Sequence, residues 1–143
     1  MADPCPHCGG TGRLDGGSLV VAVTLDLRLA SEPNERMHHA AKSARTRSQR
    51  TKTAATLHKL ARSRGTYLTG PLVVRLVRLG PRELDDDNLA ASAKHVRDGV
   101  ADWLGRDDGD GTVRWLYAQE RTAARRVGQR TLPTYGVRIE IRR

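Results

Sequence analysis

The chain has 143 residues with 25 Lys and Arg against 16 Asp and Glu, a net charge of +9 that favours a polyanionic partner, nucleic acid or an acidic membrane surface. One ordinary domain fits that length, and a 38% hydrophobic fraction without Phe leaves a thin aliphatic core. No apolar run reaches 18 residues, no signal-peptide pattern is present, and Cys5 and Cys8 make no disulfide framework, so the expectation is a cytoplasmic protein with no membrane span.

Residues 1–17 are rich in Gly and Pro and read as a flexible arm. Ser18 to Arg28 alternates, with Leu19, Val21, Val23, Leu25 and Leu27 on one face, which predicts a strand. Pro33-Asn34 breaks it, with Asn34 as a helix cap. Residues 35–63 read as a helix, its first turns alternatively a basic loop, with a narrow inner stripe of Met37, Ala41, Ala44, Ser48, Thr51 and Ala55, small enough to lie close on a sheet. Leu72 to Leu79 is a second strand, with Leu72, Val74 and Leu76 facing one way. Residues 88–104 form a second helix with Leu89, Ala93, Val96, Val100, Trp103 and Leu104 in one apolar stripe, stopped by Gly105. Val113, Trp115 and Tyr117 mark a third strand, and Val137, Ile139 and Ile141 a fourth, with an Arg-rich loop or hairpin end over 121–130. The order β-α-β-α-β-β predicts a small single α/β domain over 18–143, with a mixed four-stranded sheet and two helices.

Charge is segregated along this frame. Arg36 to Arg82 contains twelve Lys and Arg and no acid, whereas Glu83 to Asp110 holds nine of the sixteen acids. From Arg114 onward there are eight Arg and two Glu. An acidic island between basic flanks suits a nuclease that holds a cation against DNA, and equally a binding protein with two oppositely charged surfaces.

Asp85-Asp86-Asp87 stands where the second strand hands over to the second helix. Successive carboxylates repel, and a helix start recovers only part of that cost. A hard divalent cation, which takes a few carboxylates plus water and phosphate, would resolve it. In extended chain Asp85 and Asp87 point the same way. Asp87, Lys94 and Asp98 share the helix face opposite the apolar stripe, and Gly105 to Asp110 adds a second acidic turn. The competing reading of these acids is a solvated helix start followed by a polar turn.

Leu84-Asp85-Asp86-Asp87-Asn88-Leu89, a Lys on the next helix, Arg97-Asp98-Gly99-Val100 and Gly105-Arg106-Asp107-Asp108 together resemble the RusA family of Holliday junction resolvases. Pro33-Asn34, leading into a basic region, adds to that resemblance, which covers roughly residues 18–143. It implies a RusA-like fold and a homodimeric, magnesium-dependent endonuclease of the phage and prophage type, with Mn2+ able to substitute. It implies that Asp85, Asp87 and Asp108 bind the metal, with Asp107 able to exchange roles with Asp108, and that Lys94 is the catalytic lysine. The family places that lysine four residues after the second acid, where this chain has Ala91. Leu84 stands where some members carry Arg, and Arg82 can substitute.

The basic residues fit a phosphate grip on branched DNA, four-way junctions above all. The candidates are Arg36, Lys42, Arg45, Arg47, Arg50 and Arg82, then Arg121, Arg125, Arg126 and Arg130. Cys5-Pro6-His7-Cys8 is spaced like half of a zinc site. No second Cys pair exists, so it reads as a metal-free remnant unless His7, His38, His39 or a partner's arm completes a zinc site. His38, His39, His58 and His95 read as surface residues, and Trp115 and Tyr117 mainly as core. The rival function is a non-catalytic nucleic-acid-binding accessory protein of the same fold, and a flap or fork nuclease is a third.

Overall fold

The computed structural model describes residues 17–31, 38–107 and 109–143. Cys5, Cys8, Pro33, Asn34, Arg36, Met37 and Asp108 lie outside the described residues, as does the expected N-terminal arm apart from Gly17.

The main sheet has four strands: β1 (Leu19–Leu25), β2 (Leu72–Gly80), β3 (Val113–Arg121) and β6 (Gly136–Arg142). Their order is β1-β6-β2-β3. β2 and β3 are parallel, while β6 runs antiparallel to both β1 and β2. The expected mixed four-stranded α/β domain is therefore present. A short hairpin of β4 (Arg125–Val127) and β5 (Arg130–Leu132) takes up the Arg-rich stretch, the second of the two alternatives expected there. Gly128 at its turn has φ +61°, a conformation that costs glycine little.

Alternation fixes the sheet's inner face. Val21, Leu25, Leu72, Val74, Leu76, Val137, Ile139 and Ile141 all point into one core with Val96, Val100, Trp103 and Leu104. The opposite face carries an ionic ladder: Arg138 bonds Glu120, its Nε lies 2.9 Å from Glu140, and Arg75 lies 3.5 Å from Glu140.

Among the described residues three α-helices form where two were expected. α1 is His39–Ala61, α2 is Asp86–Ser92 and α3 is Lys94–Leu104. The single helix expected over 88–104 breaks at Ala93, whose N–H is shared at 3.3 Å between the carbonyls of Leu89 and Ala90. Ser92 Oγ donates to Leu89 O at 2.7 Å, competing locally with the regular helical bond. The apolar stripe survives the break, with Leu89, Ala93, Val96, Val100, Trp103 and Leu104 all buried. Parallel β2 and β3 need a long crossover, and α2 and α3 supply it.

The inner face of α1 differs from the expected stripe. Ala41, Ala44, Ser48, Thr51 and Ala55 are exposed, and the buried positions are Gln49, Thr53 and Leu57. The helix packs chiefly on α3, not close on the sheet. The reason is Gly99, where a Cβ would lie 2.6 Å from Arg50 O and 2.8 Å from Thr53 Cβ. Leu57 then drops fully into the core, and Gln49 donates to Arg28 O at 3.1 Å. β1 also ends at Leu25, three residues before the expected Arg28, in a turn closed by Leu27 N–H on Leu25 O.

Four carboxylates have their pKa lowered by their partners. Asp102 is held down by Arg50, Glu120 by Arg138, Asp110 by Thr112 and Asp85 by Asn88. A carboxyl lowered in the folded state stabilises it fully above its unfolded pKa and loses that contribution as pH falls through the folded value. The melting temperature is therefore expected to drop as pH falls below about 4, the ordinary carboxylate range. Asp102→Asn should flatten that drop, and a melting curve indifferent to pH in this window would contradict these pairings.

Candidate active site

The crossover places the first acids at the carboxyl end of β2. Asp85 caps α2: its Oδ1 accepts Asn88 N–H at 2.9 Å and its Oδ2 accepts Asn88 Nδ2 at 2.8 Å. The backbone bond, then the side-chain bond, holds its carboxyl below the usual range, so it is ionised at neutral pH. Each of its oxygens keeps a further lone pair. Asp86 and Asp87 are exposed in the first turn of α2.

Two clamps that the sequence reading missed fix this segment. Gln119 on β3 pairs with the Leu84 backbone in both directions, at 2.9 Å from Leu84 N–H and 2.7 Å to Leu84 O. Arg78 on β2, only 6% exposed, donates from Nε to Leu29 O at 3.0 Å and from Nη1 to Arg82 O at 2.6 Å. Ser31 adds a bond to Asn88 Oδ1 at 3.1 Å. The loops after β1 and β2 are thus tied together beside Asp85.

Several arginines share this end of the sheet. Parallel pairing sets Gly80 opposite Arg121, and Thr122 N–H bonds Gly80 O at 3.0 Å. The β4–β5 hairpin leaves from here, with Arg125, Arg126 and Arg130 exposed, and Arg82 is exposed beside the acids. Exposed Lys42 and Arg47 and half-buried Arg45 lie on α1. Arg50, expected to grip phosphate, forms a bidentate pair with Asp102 at 2.5 and 2.7 Å.

The second acidic group lies elsewhere. Leu72 N–H bonds Thr112 O at 2.9 Å and Arg106 bonds Leu68 O, so the turn around Asp107 sits at the amino end of β2. The nine residues of β2 separate it from Asp85 by roughly 25 Å at about 3.3 Å per residue. Asp107 instead lines a cleft of about 610 Å³ with Lys94, Asp98, Asp102, Arg50 and Arg64. The single face expected to carry Asp87, Lys94 and Asp98 is divided by the break at Ala93: the structure brings Lys94 to Asp98 and Asp107, and not to Asp87.

His95 is not the surface residue expected. Its side chain is 16% exposed, with Nε2 3.1 Å from Thr46 Oγ1 and Nδ1 3.8 Å from Asp98, joining α1 to α3. His38, His39 and His58 are exposed, as expected. Trp115 and Tyr117 are partly buried against the core, with Arg97 stacked 5.1 Å from the Trp115 ring and bonded to Tyr117 Oη at 3.3 Å.

The expectation that Asp85 and Asp87 point the same way from extended chain is not met, because α2 starts at Asp86 and sets Asp87 on a helix, where residues two apart do not share a face. Both are exposed hard oxygen donors of the kind magnesium takes together with several waters. Among the described residues no three His, Cys, Asp or Glu side chains converge on a metal position. Among them, too, no helix is long and apolar enough to cross a membrane. Compared with protein-family models, curated proteins and solved structures, the chain shows no significant match.

Proposed function

We propose that the chain is a RusA-like, magnesium-dependent endonuclease that nicks branched DNA as a homodimer. The observation that carries this reading is the carboxyl end of the sheet. There, ionised Asp85 and exposed Asp87 stand beside Arg82, Arg121 and the arginine hairpin. A phosphodiester gripped by those arginines would lie against carboxylates that repel it unless a cation intervenes. Asp85 and Asp87 would hold that ion, with manganese as a substitute. When bound, it supplies Lewis-acid polarisation of the phosphate and a lowered pKa for water. Asn88 orients Asp85, and Gln119 fixes the backbone from which both acids project.

The distance between the two acidic groups bears on assembly. Asp107 cannot reach an ion on Asp85 within one chain across the length of β2. Sequence neighbour Asp108, the third metal ligand implied by the family resemblance, lies outside the described residues. A two-fold dimer can bring the acidic turn of one subunit to Asp85 and Asp87 of the other, together with the Lys94 cleft, where Lys94 would offset charge building on the scissile phosphate. Two symmetric sites also suit a four-way junction, whose like strands are cut in pairs.

Light scattering should give a particle of twice the 15.7 kDa chain mass. Mixed dimers of Asp85→Asn and Asp108→Asn subunits should recover one working site, nicking one strand, while each variant alone is inactive. Mixed dimers as dead as the parents would place all ligands in one chain. A monomer at micromolar concentration would remove the shared site altogether.

A further inference from the structure

Beside the acids, the loops after β1 and β2 enclose a separate cleft of about 500 Å³, within the range of small-molecule sites. Three arginines line it: Arg28, Arg78 and Arg82. Arg78 is the unusual one. Its guanidinium is taken out of water and given two backbone carbonyls, and among the described residues no carboxylate pairs with it. Burial lowers its pKa and the charge of Arg28 pushes the same way, while Tyr135 opposes them. A guanidinium stays charged regardless. Carbonyls alone repay only part of the cost of burying a cation, and an anion in the cleft would repay the rest.

The remaining walls are apolar. Leu29, Leu84 and the rings of Pro81, Pro133 and Tyr135 line the cleft, with the Arg28 guanidinium 5.0 Å from the Tyr135 ring centre. Inorganic phosphate would occupy a small part of this space and leave the apolar walls without a partner. A phosphate joined to a flat, weakly polar ring system would engage both.

We propose that this cleft binds one phosphorylated nucleoside, its phosphate toward Arg78 and Arg82 and its base against the Tyr135 and proline walls. The ligand chemistry is shared by a free mononucleotide and by the 5′-phosphorylated end of a single strand. Neither needs a metal ion, so the proposal stands whether or not the acids cut DNA.

The test is calorimetry on the full chain in EDTA with dAMP, deoxyadenosine and inorganic phosphate, followed by a short single strand with and without a 5′-phosphate. Expected is dAMP binding at least about tenfold tighter than either deoxyadenosine or phosphate, the scale of one charge-assisted contact. Arg82→Gln, whose backbone carbonyl still serves Arg78, should weaken dAMP binding by about tenfold. Arg28→Gln should do the same, while Lys59→Gln in the last turn of α1 leaves binding unchanged. If the phosphorylated strand binds as tightly as dAMP, the occupant is a strand end; if only dAMP binds, it is a free nucleotide. Deoxyadenosine or phosphate binding as well as dAMP would overturn the proposal. So would wild-type affinity in both Arg82→Gln and Arg28→Gln, folded by circular dichroism.

Discussion

Asp85→Asn and Asp87→Asn should each abolish magnesium-dependent nicking of a four-way junction while junction binding survives or tightens. The expected loss is about a hundredfold or more, since even an outer-shell partner of a metal ligand is worth ten- to a hundredfold. Folding should not suffer, because Asn caps a helix as well as Asp and keeps an oxygen for Asn88 N–H. The binding gain has an electrostatic origin. Each carboxylate repels the phosphate backbone until a cation sits between them, so the substitution removes a ligand and a repulsion together. Without metal, both variants should bind better than wild type, and the difference should shrink as salt screens the repulsion. Lys94→Ala should behave oppositely, losing rate and some affinity. Near wild-type cutting by both Asp variants would reduce these acids to a helix start. Far weaker binding by folded variants would mean that the acids contact bases or a partner directly.

Gly99→Ala should be strongly damaging for a single added methyl. On an open helix this change gains about 1 kcal/mol. Here the added Cβ would meet the Arg50 carbonyl at 2.6 Å and Thr53 Cβ at 2.8 Å, and neither can swing away because both belong to the facing helix. Forcing α1 and α3 apart also lifts Leu57 from the core. Overpacking of this kind costs about 1–3 kcal/mol, enough to outweigh the helix gain. For a domain of this size that is a drop of several degrees, at roughly 3–5 °C per kcal/mol. Gly109→Ala, where nothing lies within 4 Å, is the matched control. Equal melting temperatures for the two variants would show that α1 does not pack where we describe it.

The strands were legible because alternation in β1, β2, β3 and β6 is strong, and the stripe from Leu89 to Leu104 was legible because leucine, valine and tryptophan recur at helical spacing. The face of α1 was not. Its sequence offers mostly Ala, Thr and Arg, and the contact is selected by Gly99 on another helix, which no local pattern reports. The break at Ala93 was equally silent, since alanine is the best helix former and the distortion comes from its neighbour's hydroxyl.

The site was half legible. Asp85 and Asp87 stood out as like charges in a basic chain, but their separation from Asp107 follows from the parallel pairing of β2 with β3, which only the tertiary fold fixes. Arg78 and Gln119 left a trace in the sequence. Arg78 is in phase with Leu72, Val74 and Leu76, and Gln119 with Val113, Trp115 and Tyr117. A polar residue on the inward phase of a strand must find buried partners, and both find the backbone of the loops that carry the site.

The nuclease reading is tested most directly by incubating the purified chain with a synthetic four-way junction and the matching linear duplex, in magnesium and in EDTA. The account predicts paired nicks in like strands of the junction, little cutting of the duplex, and none of either in EDTA. Folded, dimeric protein that binds the junction but cuts neither it nor any flap or fork in magnesium would contradict the account and leave a non-catalytic binding protein.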